Sequence, residues 1–308
     1  MKRSHVSFIL VACAAALGLW AYRGDGDPVS LRAPSLGGTA AITEMASPAS
    51  HPRATDMSPA RLPTPTQPPG VGALARGMSS PDPLAFVTEQ QALSAPGSFA
   101  NSDQVTFQCR EANRVARSSL PDIANQRANK LGKDPAAFQA RFIEAQQMVQ
   151  SRCSSFRLEV PADRAREDDV YAKSYNKARA DLFNINAKTG EALVELAKQG
   201  QLASAAVVLA GLPRFQGEDF RAPEDAEIFR RAVLLASFNA TSLEAERSND
   251  LRTFTACLQT GICDGSFESY ALSKWPEGSP QREKALVLSK RMEAAFRSNS
   301  VSAWTSKP

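Results

Sequence analysis

The clearest pattern in the chain is a helical period of apolar positions that begins near residue 103 and continues to its end at residue 308. Spacings of three and four residues place apolar side chains on one face of a helix. The first such face carries Val105, Cys109, Ala112 and Ala116. No stretch of four or more residues alternates convincingly in the manner of a strand. The pattern therefore predicts an all-α domain with short connections over residues 103–308.

Local start signals divide this domain into about nine to ten helices, which we expect to form an irregular bundle or a short solenoid. A proline in the first turn is typical of a helix start, especially behind an acidic or hydroxyl side chain. Such signals stand at Pro121, Asp134–Pro135, Pro223 and Ser279–Pro280. Thr241 and Glu244 have the spacing of a capping box and predict a further helix that begins there.

Apolar stripes mark the faces that these helices should bury. The helix after Pro223 is apolar on several sides, which predicts a central position in the domain. Three other predicted stripes are Phe138, Phe142, Ala145, Val149 and Cys153; Tyr171, Tyr175, Ala178, Leu182 and Ile185; and Ala285, Leu288, Met292 and Ala295.

The N-terminus predicts export. Residues 6–22 carry no charge and follow the basic pair Lys2–Arg3. As a helix these 17 residues would span about 25 Å, near the lower limit for crossing a bilayer. We expect a signal anchor over residues 1–23 that holds the protein in the bacterial inner membrane, with the C-terminal domain in the periplasm.

Two alternatives for this segment remain open. Ala14–Ala15–Ala16 offers a small-residue cleavage site, which predicts a cleaved periplasmic protein. Residues 10–13 resemble a lipobox, which predicts a lipoprotein modified at Cys13. All three interpretations export the remainder of the chain and place it in the cell envelope.

Between the N-terminal segment and the helical domain, composition predicts a disordered linker over residues 24–102. This stretch holds 12 of the 20 prolines but only two aromatic residues, Phe86 and Phe99. Such a composition buries too little apolar surface to offset the entropy of ordering. One short apolar run, residues 83–87, is a candidate docking motif within it.

The charge and histidine content of residues 103–308 exclude several classes of function for the predicted domain. Residues 103–308 contain 29 Lys and Arg against 26 Asp and Glu, a net charge of +3 that indicates no nucleic-acid partner. Both histidines, His5 and His51, lie before this region. Ser-His-Asp catalysis, Cys-His catalysis and His-ligated zinc are therefore excluded from the predicted domain. We expect no cofactor and no metal, since glycine-rich phosphate-binding and dinucleotide-binding motifs are also absent there.

Four cysteines remain in the predicted domain, and an even count in an exported chain indicates disulfides. Cys109 and Cys153 each extend an apolar helical stripe, so they can meet where two helices pack. Cys257 and Cys263 are six residues apart, with Gly261 allowing the chain to turn back. We expect Cys109–Cys153 and Cys257–Cys263, while a four-thiolate zinc site and free buried thiols stay as alternatives.

Three short segments resemble known helical proteins. Ala192–Leu193, Leu196–Ala197, Gly200, Ala205–Ala206 and Leu209 resemble one helical pair of the Sel1 or tetratricopeptide type. Residues 257–263 are similar to a C-x5-C element of secreted helical bacterial proteins, and Ala285–Trp304 resembles the closing helix of such proteins. The resemblance implies protein–protein contact and brings no catalytic residues. A solenoid needs about three stacked repeats, and this chain shows one.

Carboxylates are the only remaining acid–base candidates. Glycoside hydrolysis needs two carboxyl groups about 5 to 10 Å apart, one of them with a raised pKa. Candidate clusters are Glu167–Asp168–Asp169, Glu218–Asp219 and Glu224–Asp225–Glu227. Acidic residues at helix starts also complement the helix dipole, which is the simpler interpretation of each cluster.

The sequence thus favours a non-catalytic, envelope-anchored protein–protein interaction domain whose partner is an unknown envelope protein. One alternative is a carboxylate-dependent glycan hydrolase of the envelope. A second alternative is a periplasmic foldase or chaperone for a secreted protein. Steric foldases of secreted lipases share the plan of anchor, tether and helical domain, but their F-D-Y signature is missing here.

Overall fold

Helices dominate the structure, as the apolar periodicity predicts. It is a computed structural model that describes residues 71–93, 97–156, 173–174 and 187–305. Every described residue belongs to one compact unit. Within these ranges the all-α prediction is confirmed, apart from one pair of two-residue strands.

Several predicted features lie outside the described residues. They are the N-terminal segment over residues 1–23, Cys13, the carboxylates at 167–169 and most of the predicted helix around Tyr171–Ile185. In the ranges that the structure does describe, no helix has both the length and the apolar character that a bilayer crossing requires.

Five helices form the N-terminal part of the described chain. They are α1 (Val71–Ser79), α2 (Pro83–Ala92), α3 (Ser98–Ser118), α4 (Asp122–Lys130) and α5 (Pro135–Cys153). The carboxylate of Asp134 accepts a hydrogen bond from the Ala136 amide at 3.0 Å, so the predicted cap of α5 is confirmed. Asp82 caps α2 in the same way through the Ala85 amide.

The C-terminal part is built from shorter pieces around two long helices. Its elements are α6 (Ala187–Lys198), a 3-10 helix (Leu202–Ala205), α7 (Ala206–Ala210), β1 (Arg214–Phe215), β2 (Glu218–Asp219), α8 (Pro223–Ala240), a 3-10 helix (Glu244–Asn249), α9 (Leu251–Thr260), α10 (Phe267–Ala271), α11 (Pro280–Arg297) and α12 (Ser302–Thr305). The predicted inward stripe of α11 is confirmed, because Ala285, Leu288, Met292 and Ala295 are all buried.

The predicted linker boundary at residue 103 is wrong for residues 71–93 and 97–102. Helices α1 and α2 bury Leu74, Met78, Phe86 and Val87 in the same hydrophobic cluster as Val105 on α3. The physical reason is local pattern: Leu74 and Met78 are one helical turn apart, and α2 begins with Pro83 behind an Asp cap. The low aromatic content of this stretch obscured that pattern.

Buried side chains form two large clusters, to which helices α3 and α9 both contribute. The N-terminal core consists mainly of side chains from α1 to α5. The C-terminal core consists mainly of side chains from α6 to α8 and α10 to α12, together with Ala100 of α3. Helix α9 belongs to both, because Leu251 and Leu258 lie in the N-terminal core whereas Ala256 lies in the C-terminal core. This helix therefore joins the two halves.

Helices α8 and α11 run side by side in the same direction. Near their N-termini Lys284 Nζ lies 2.6 Å from Asp225 Oδ1, and near their C-termini Arg297 donates to the Asn239 carbonyl at 2.8 Å. Between these ends α8 buries residues on several faces, which confirms its predicted central position.

The two strands form a small antiparallel hairpin that the sequence pattern did not predict. Arg214 pairs with Asp219, and Phe215 pairs with Glu218. The turn residues Gln216 and Gly217 both have positive φ, 51° and 80°. The Gln216 amide donates to the Ala303 carbonyl, so the hairpin is attached to α12.

The predicted capping box at Thr241 and Glu244 is wrong. The Thr241 hydroxyl donates to the Ser237 carbonyl at 2.7 Å and accepts from Arg252 at 2.6 Å, so it serves the end of α8. Residues 244–249 form a 3-10 helix, and the α-helix that follows is capped by Asp250 through the Arg252 amide. A long-range contact to Arg252 thus outweighs the local capping pattern.

Candidate binding groove beside the Cys257–Cys263 disulfide

Both predicted disulfides are present in the structure. Cys109 on α3 is bonded to Cys153 at the end of α5, with their Cα atoms 5.1 Å apart. Cys257 in the last turn of α9 is bonded to Cys263 in the following loop, with a Cα separation of 4.7 Å. The structure therefore contradicts the alternatives of a four-thiolate zinc site and of free thiols at these four positions.

The loop after α9 is held in place by a close contact to α4. Gly261 has a φ of +73°, and a Cβ atom at this position would lie 2.4 Å from the Ile123 carbonyl oxygen. The neighbouring Thr260 carbonyl accepts a hydrogen bond from Arg127 at 3.3 Å. Only glycine fits both the left-handed conformation and the close approach. The chain can therefore turn back and bring Cys263 to Cys257.

A groove of about 270 Å³ lies beside this second disulfide. Its walls come from α5, from the 3-10 helix that precedes α9, from α9 itself and from the loop that carries Cys263. The lining residues are Arg141, Glu144, Ala145, Ser248, Asn249, Thr253, Phe254, Cys257, Cys263 and Gly265.

Two charged side chains at the groove have no described partner. Arg141 and Glu144 are one helical turn apart on the exposed side of α5, opposite its buried stripe. Arg141 Nη1 lies 3.1 Å from the position that a Cβ on Gly265 would occupy, so its guanidinium lies over that glycine. Within the part of the chain that the structure describes, neither side chain forms an ion pair or a side-chain hydrogen bond. Both are therefore available to a ligand.

A buried arginine fixes the back of the groove. Arg152 is 6% exposed and donates to the carbonyls of Met78 and Asn249, each at 2.8 Å. Its guanidinium also lies 5.8 Å from the centre of the Phe254 ring. Burial lowers the pKa of Arg152, and the charges of Asp250 and Glu246 oppose that shift. Arg152 thereby ties α1 to two groove residues, Asn249 and Phe254.

Asp250 and Arg252 form a second polar support next to the groove. Asp250 is fully buried, and its carboxylate accepts from Arg252 Nη2 at 2.7 Å. Arg252 also lies over the Phe238 ring, 4.7 Å from its centre. Because the charge is both paired and hydrogen-bonded, its burial is tolerated. The pair fixes the start of α9 and with it Thr253 and Phe254.

The first described carboxylate cluster lies on the hairpin and not in the groove. Asp219 is hydrogen-bonded to Arg221, and this contact lowers the pKa of Asp219 to about 2. Glu218 accepts a hydrogen bond from Arg291 of α11 at 2.5 Å. Both carboxylates are bound by arginines of the same molecule.

The second carboxylate cluster opens α8, where each acid has a partner. Glu224 accepts from Gln281 at 3.0 Å, and Asp225 pairs with Lys284. Burial raises the pKa of Glu227, but hydrogen bonds from Arg230 and Arg231 outweigh burial, so the net pKa is lowered. Among the residues described, no group of His, Cys, Asp and Glu is arranged to hold a metal ion.

A second depression, of about 310 Å³, lies at α6 and is lined by Lys173, Ser174, Glu191, Ala192 and Glu195. Glu195 is paired with Lys198 at 3.2 Å. This depression borders residues 175–186, which lie outside the described ranges. The groove beside Cys257–Cys263 is lined by described residues of four different segments, and we take it as the candidate site.

Comparison of the chain with protein-family models, with curated proteins and with solved structures finds no match in any of the three. The resemblance of α6 and α7 to a Sel1 or tetratricopeptide pair, and that of residues 257–263 to a C-x5-C element, therefore stay predictions.

Proposed function

We propose that this protein is a non-catalytic protein–protein interaction domain of the bacterial cell envelope and that the groove beside Cys257–Cys263 contacts its partner. The observation that carries the proposal is the lining of the groove. It combines an unpaired arginine, an unpaired glutamate, an aromatic ring and an amide side chain, namely Arg141, Glu144, Phe254 and Asn249. Arginine and aromatic residues are enriched where proteins contact one another.

The two disulfides support the envelope location. Disulfides persist in oxidising compartments and are rare in the bacterial cytosol. In the structure the two pairs of cysteines, Cys109 with Cys153 and Cys257 with Cys263, lie close together in space and are bonded. Attachment through residues 1–23, by an anchor or through Cys13, remains part of the proposal.

The described carboxylates favour binding over glycan hydrolysis. An acid catalyst of hydrolysis needs a raised pKa, whereas the pKa values of Asp219 and Glu227 are lowered by neighbouring arginines. Their pairing gives both clusters a structural role. The groove, in contrast, offers unpaired charges of both signs to a polar segment of a partner.

Site-specific photo-crosslinking in the full-length chain tests this function. A photoreactive residue at position 144 should give a discrete protein adduct in intact cells. The matched control is position 283, since Glu283 is also exposed but lies on α11, away from the groove. We expect no adduct of the same size from position 283.

A charge reversal in the same experiment distinguishes the groove from its surroundings. Arg141→Glu should abolish the adduct from position 144, whereas Arg117→Glu on the exposed side of α3 should leave it unchanged. An adduct that forms equally from both positions, or that survives Arg141→Glu, would contradict the assignment of the groove as the contact site.

A further inference from the structure

The two disulfides differ in their surroundings. All four cysteines belong to the N-terminal core, and within it Cys109 and Cys153 are both 0% exposed. Cys257 is 5% exposed and Cys263 is 1% exposed, and both line the groove. A nucleophile of modest size can therefore approach the second disulfide from the groove, whereas the first is enclosed by α3 and α5.

We propose that Cys257–Cys263 is a modification site for a small thiol of the amino-acid type, one that carries a carboxylate and an ammonium group. The groove would bind this thiol next to the disulfide and direct it to exchange with Cys257. This inference goes beyond a protein contact and does not require a protein partner.

The size of the groove suits such a ligand. Its volume of about 270 Å³ is close to the lower end, ~300 Å³, of pockets that take small molecules. A cysteine-sized thiol fits this volume, whereas a large cofactor does not. The mixed polar and apolar lining also fits a ligand with a charged head and a sulfur-bearing side chain.

The two unpaired charges provide the recognition. The Arg141 guanidinium is a planar donor that binds carboxylates with two parallel hydrogen bonds. Glu144, one turn along α5, is available to an ammonium group. A zwitterionic amino-acid head satisfies both side chains together, while an uncharged thiol satisfies neither.

In the exchange step, the incoming thiol supplies the electrons that reduce the protein disulfide. The thiolate of the ligand forms a new S–S bond with the Sγ of Cys257, the more exposed of the two cysteines, and the Cys257–Cys263 bond breaks. Its electron pair leaves with Cys263 Sγ, which becomes a thiolate and then takes a proton from water. A second thiol can attack the ligand sulfur, releasing a small-molecule disulfide and the reduced pair; two thiols have then supplied the two electrons.

The charge of Arg141 also favours the leaving group. Arg141 lies over Gly265, two residues beyond Cys263 and in the same groove wall. Because a cation stabilises a nearby thiolate, we expect this position of Arg141 to favour the departing Cys263 thiolate over the disulfide. Arg141 would thus act twice, as the carboxylate ligand and as a countercharge.

The test uses the oxidised full-length protein and two thiols, cysteine and 2-mercaptoethanol, at matched thiolate concentration. The reaction is stopped by acid and alkylation, and the modified peptides are mapped by mass spectrometry without reduction. We expect cysteine to form a mixed disulfide at Cys257 about tenfold faster than 2-mercaptoethanol does, because one bidentate contact has roughly that effect. Cys109–Cys153 should stay intact on the same timescale.

Variants separate recognition from simple exposure. Arg141→Gln should lower the rate with cysteine by about tenfold and lower the rate with 2-mercaptoethanol by less, whereas Arg117→Gln should change neither. Circular dichroism confirms that both variants are folded. Equal rates for the two thiols, equal reduction of both disulfides, or a preference for cysteine that survives Arg141→Gln would overturn the proposal.

Discussion

Gly261 and Gly132 share a backbone conformation but differ in their surroundings. Their φ values are +73° and +61°, so a side chain would be strained at either position. At Gly132 a Cβ atom would meet nothing within 4 Å, whereas at Gly261 it would lie 2.4 Å from the Ile123 carbonyl. We expect Gly132→Ala to cost about 1 kcal/mol, mainly backbone strain, and Gly261→Ala to cost at least twice as much.

Urea unfolding of the two variants measures the difference. Because the strain of positive φ is common to both, the excess loss at position 261 reports the contact between α4 and the loop that carries Cys263. Equal losses for the two variants would mean that this loop can move away from α4 at no cost.

Glu227 links the stability of α8 to pH. Its side chain is 16% exposed and accepts hydrogen bonds from Arg230 and Arg231. Burial raises the pKa of Glu227 and the two arginines lower it by more, so the net pKa is below the usual value of 4.5. The ionised form is thus favoured in the folded state. Its contribution is fully present above about pH 4.5 and is lost as the pH falls through the lowered pKa.

Glu227→Gln should therefore destabilise the protein by about 1–2 kcal/mol at pH 7 and by progressively less below pH 4.5. Thermal unfolding over pH 3 to 7 measures this convergence. Glu283→Gln is the matched control, because Glu283 is exposed on α11. A loss at Glu227→Gln that stays constant down to pH 3 would show that the arginine contacts do not favour the ionised form.

At the scale of elements, capping residues predicted those helix ends that are determined by hydrogen bonds within one helix. The cap and first turn of α5 at Asp134–Pro135 were correct because their hydrogen bonds lie within the helix end. The capping box at Thr241 failed because Arg252, from the next helix, binds the Thr241 hydroxyl. Strands β1 and β2 are two residues each, too short for alternation to be visible.

Composition alone does not predict helices α1 and α2, whereas local periodicity indicates them. Proline dominates residues 24–69, and that average hid the short amphipathic pattern that follows, with Leu74 and Met78 on one face. Pro83 adds to the proline content of this stretch, but behind Asp82 it begins a helix.

A truncation tests whether α1 and α2 are integral to the fold. They contribute Leu74, Met78, Phe86 and Val87 to the N-terminal core, and each large apolar side chain is worth ~1.5–3 kcal/mol on burial. We expect a chain that begins at residue 70 to unfold at the same temperature as the full-length protein. A chain that begins at residue 98 should melt well below it and bind a hydrophobic dye.

Limited proteolysis supplies the control for this comparison. Cleavage of the full-length protein should leave a resistant fragment that starts close to Val71, and not one that starts near Asn101. Equal melting temperatures for the two truncated chains would show that α1 and α2 merely rest on the surface of α3.

For the whole molecule, the first disulfide should contribute more to stability than the second. Cys109–Cys153 spans 44 residues of sequence and Cys257–Cys263 spans six. On the chain-entropy estimate the longer loop is worth about 4 kcal/mol and the shorter about 2 kcal/mol. We expect Cys109→Ser to lower the melting temperature more than Cys263→Ser does.

Reduction provides the internal control, because a strong reductant under unfolding conditions should remove the difference between the two variants. Calorimetry with and without reductant measures both states. A larger effect of Cys263→Ser would show that the contacts of its loop outweigh the chain-entropy term.

The groove could not be predicted in the way the disulfides were. Cysteine pairing follows from four positions and their helical faces. Arg141 and Glu144, in contrast, are ordinary polar residues of an exposed helix side, and the groove residues opposite them, from Ser248 to Gly265, are more than 100 positions away in the sequence. Only packing of α9 against α5 brings them together, and no local pattern encodes that packing.

Helix α9 has a consequence for a divided chain. Cys109–Cys153 lies entirely before residues 157–186, and Cys257–Cys263 lies entirely after them. A cut in that interval would therefore leave no covalent link between the two pieces. Yet the N-terminal piece lacks Leu251 and Leu258, which complete its core, and the C-terminal piece carries them with no core of their own. The C-terminal piece therefore carries side chains that the core of the N-terminal piece needs. Co-expressed, they should find one another and reassemble, which makes the protein a candidate for a two-part complementation reporter.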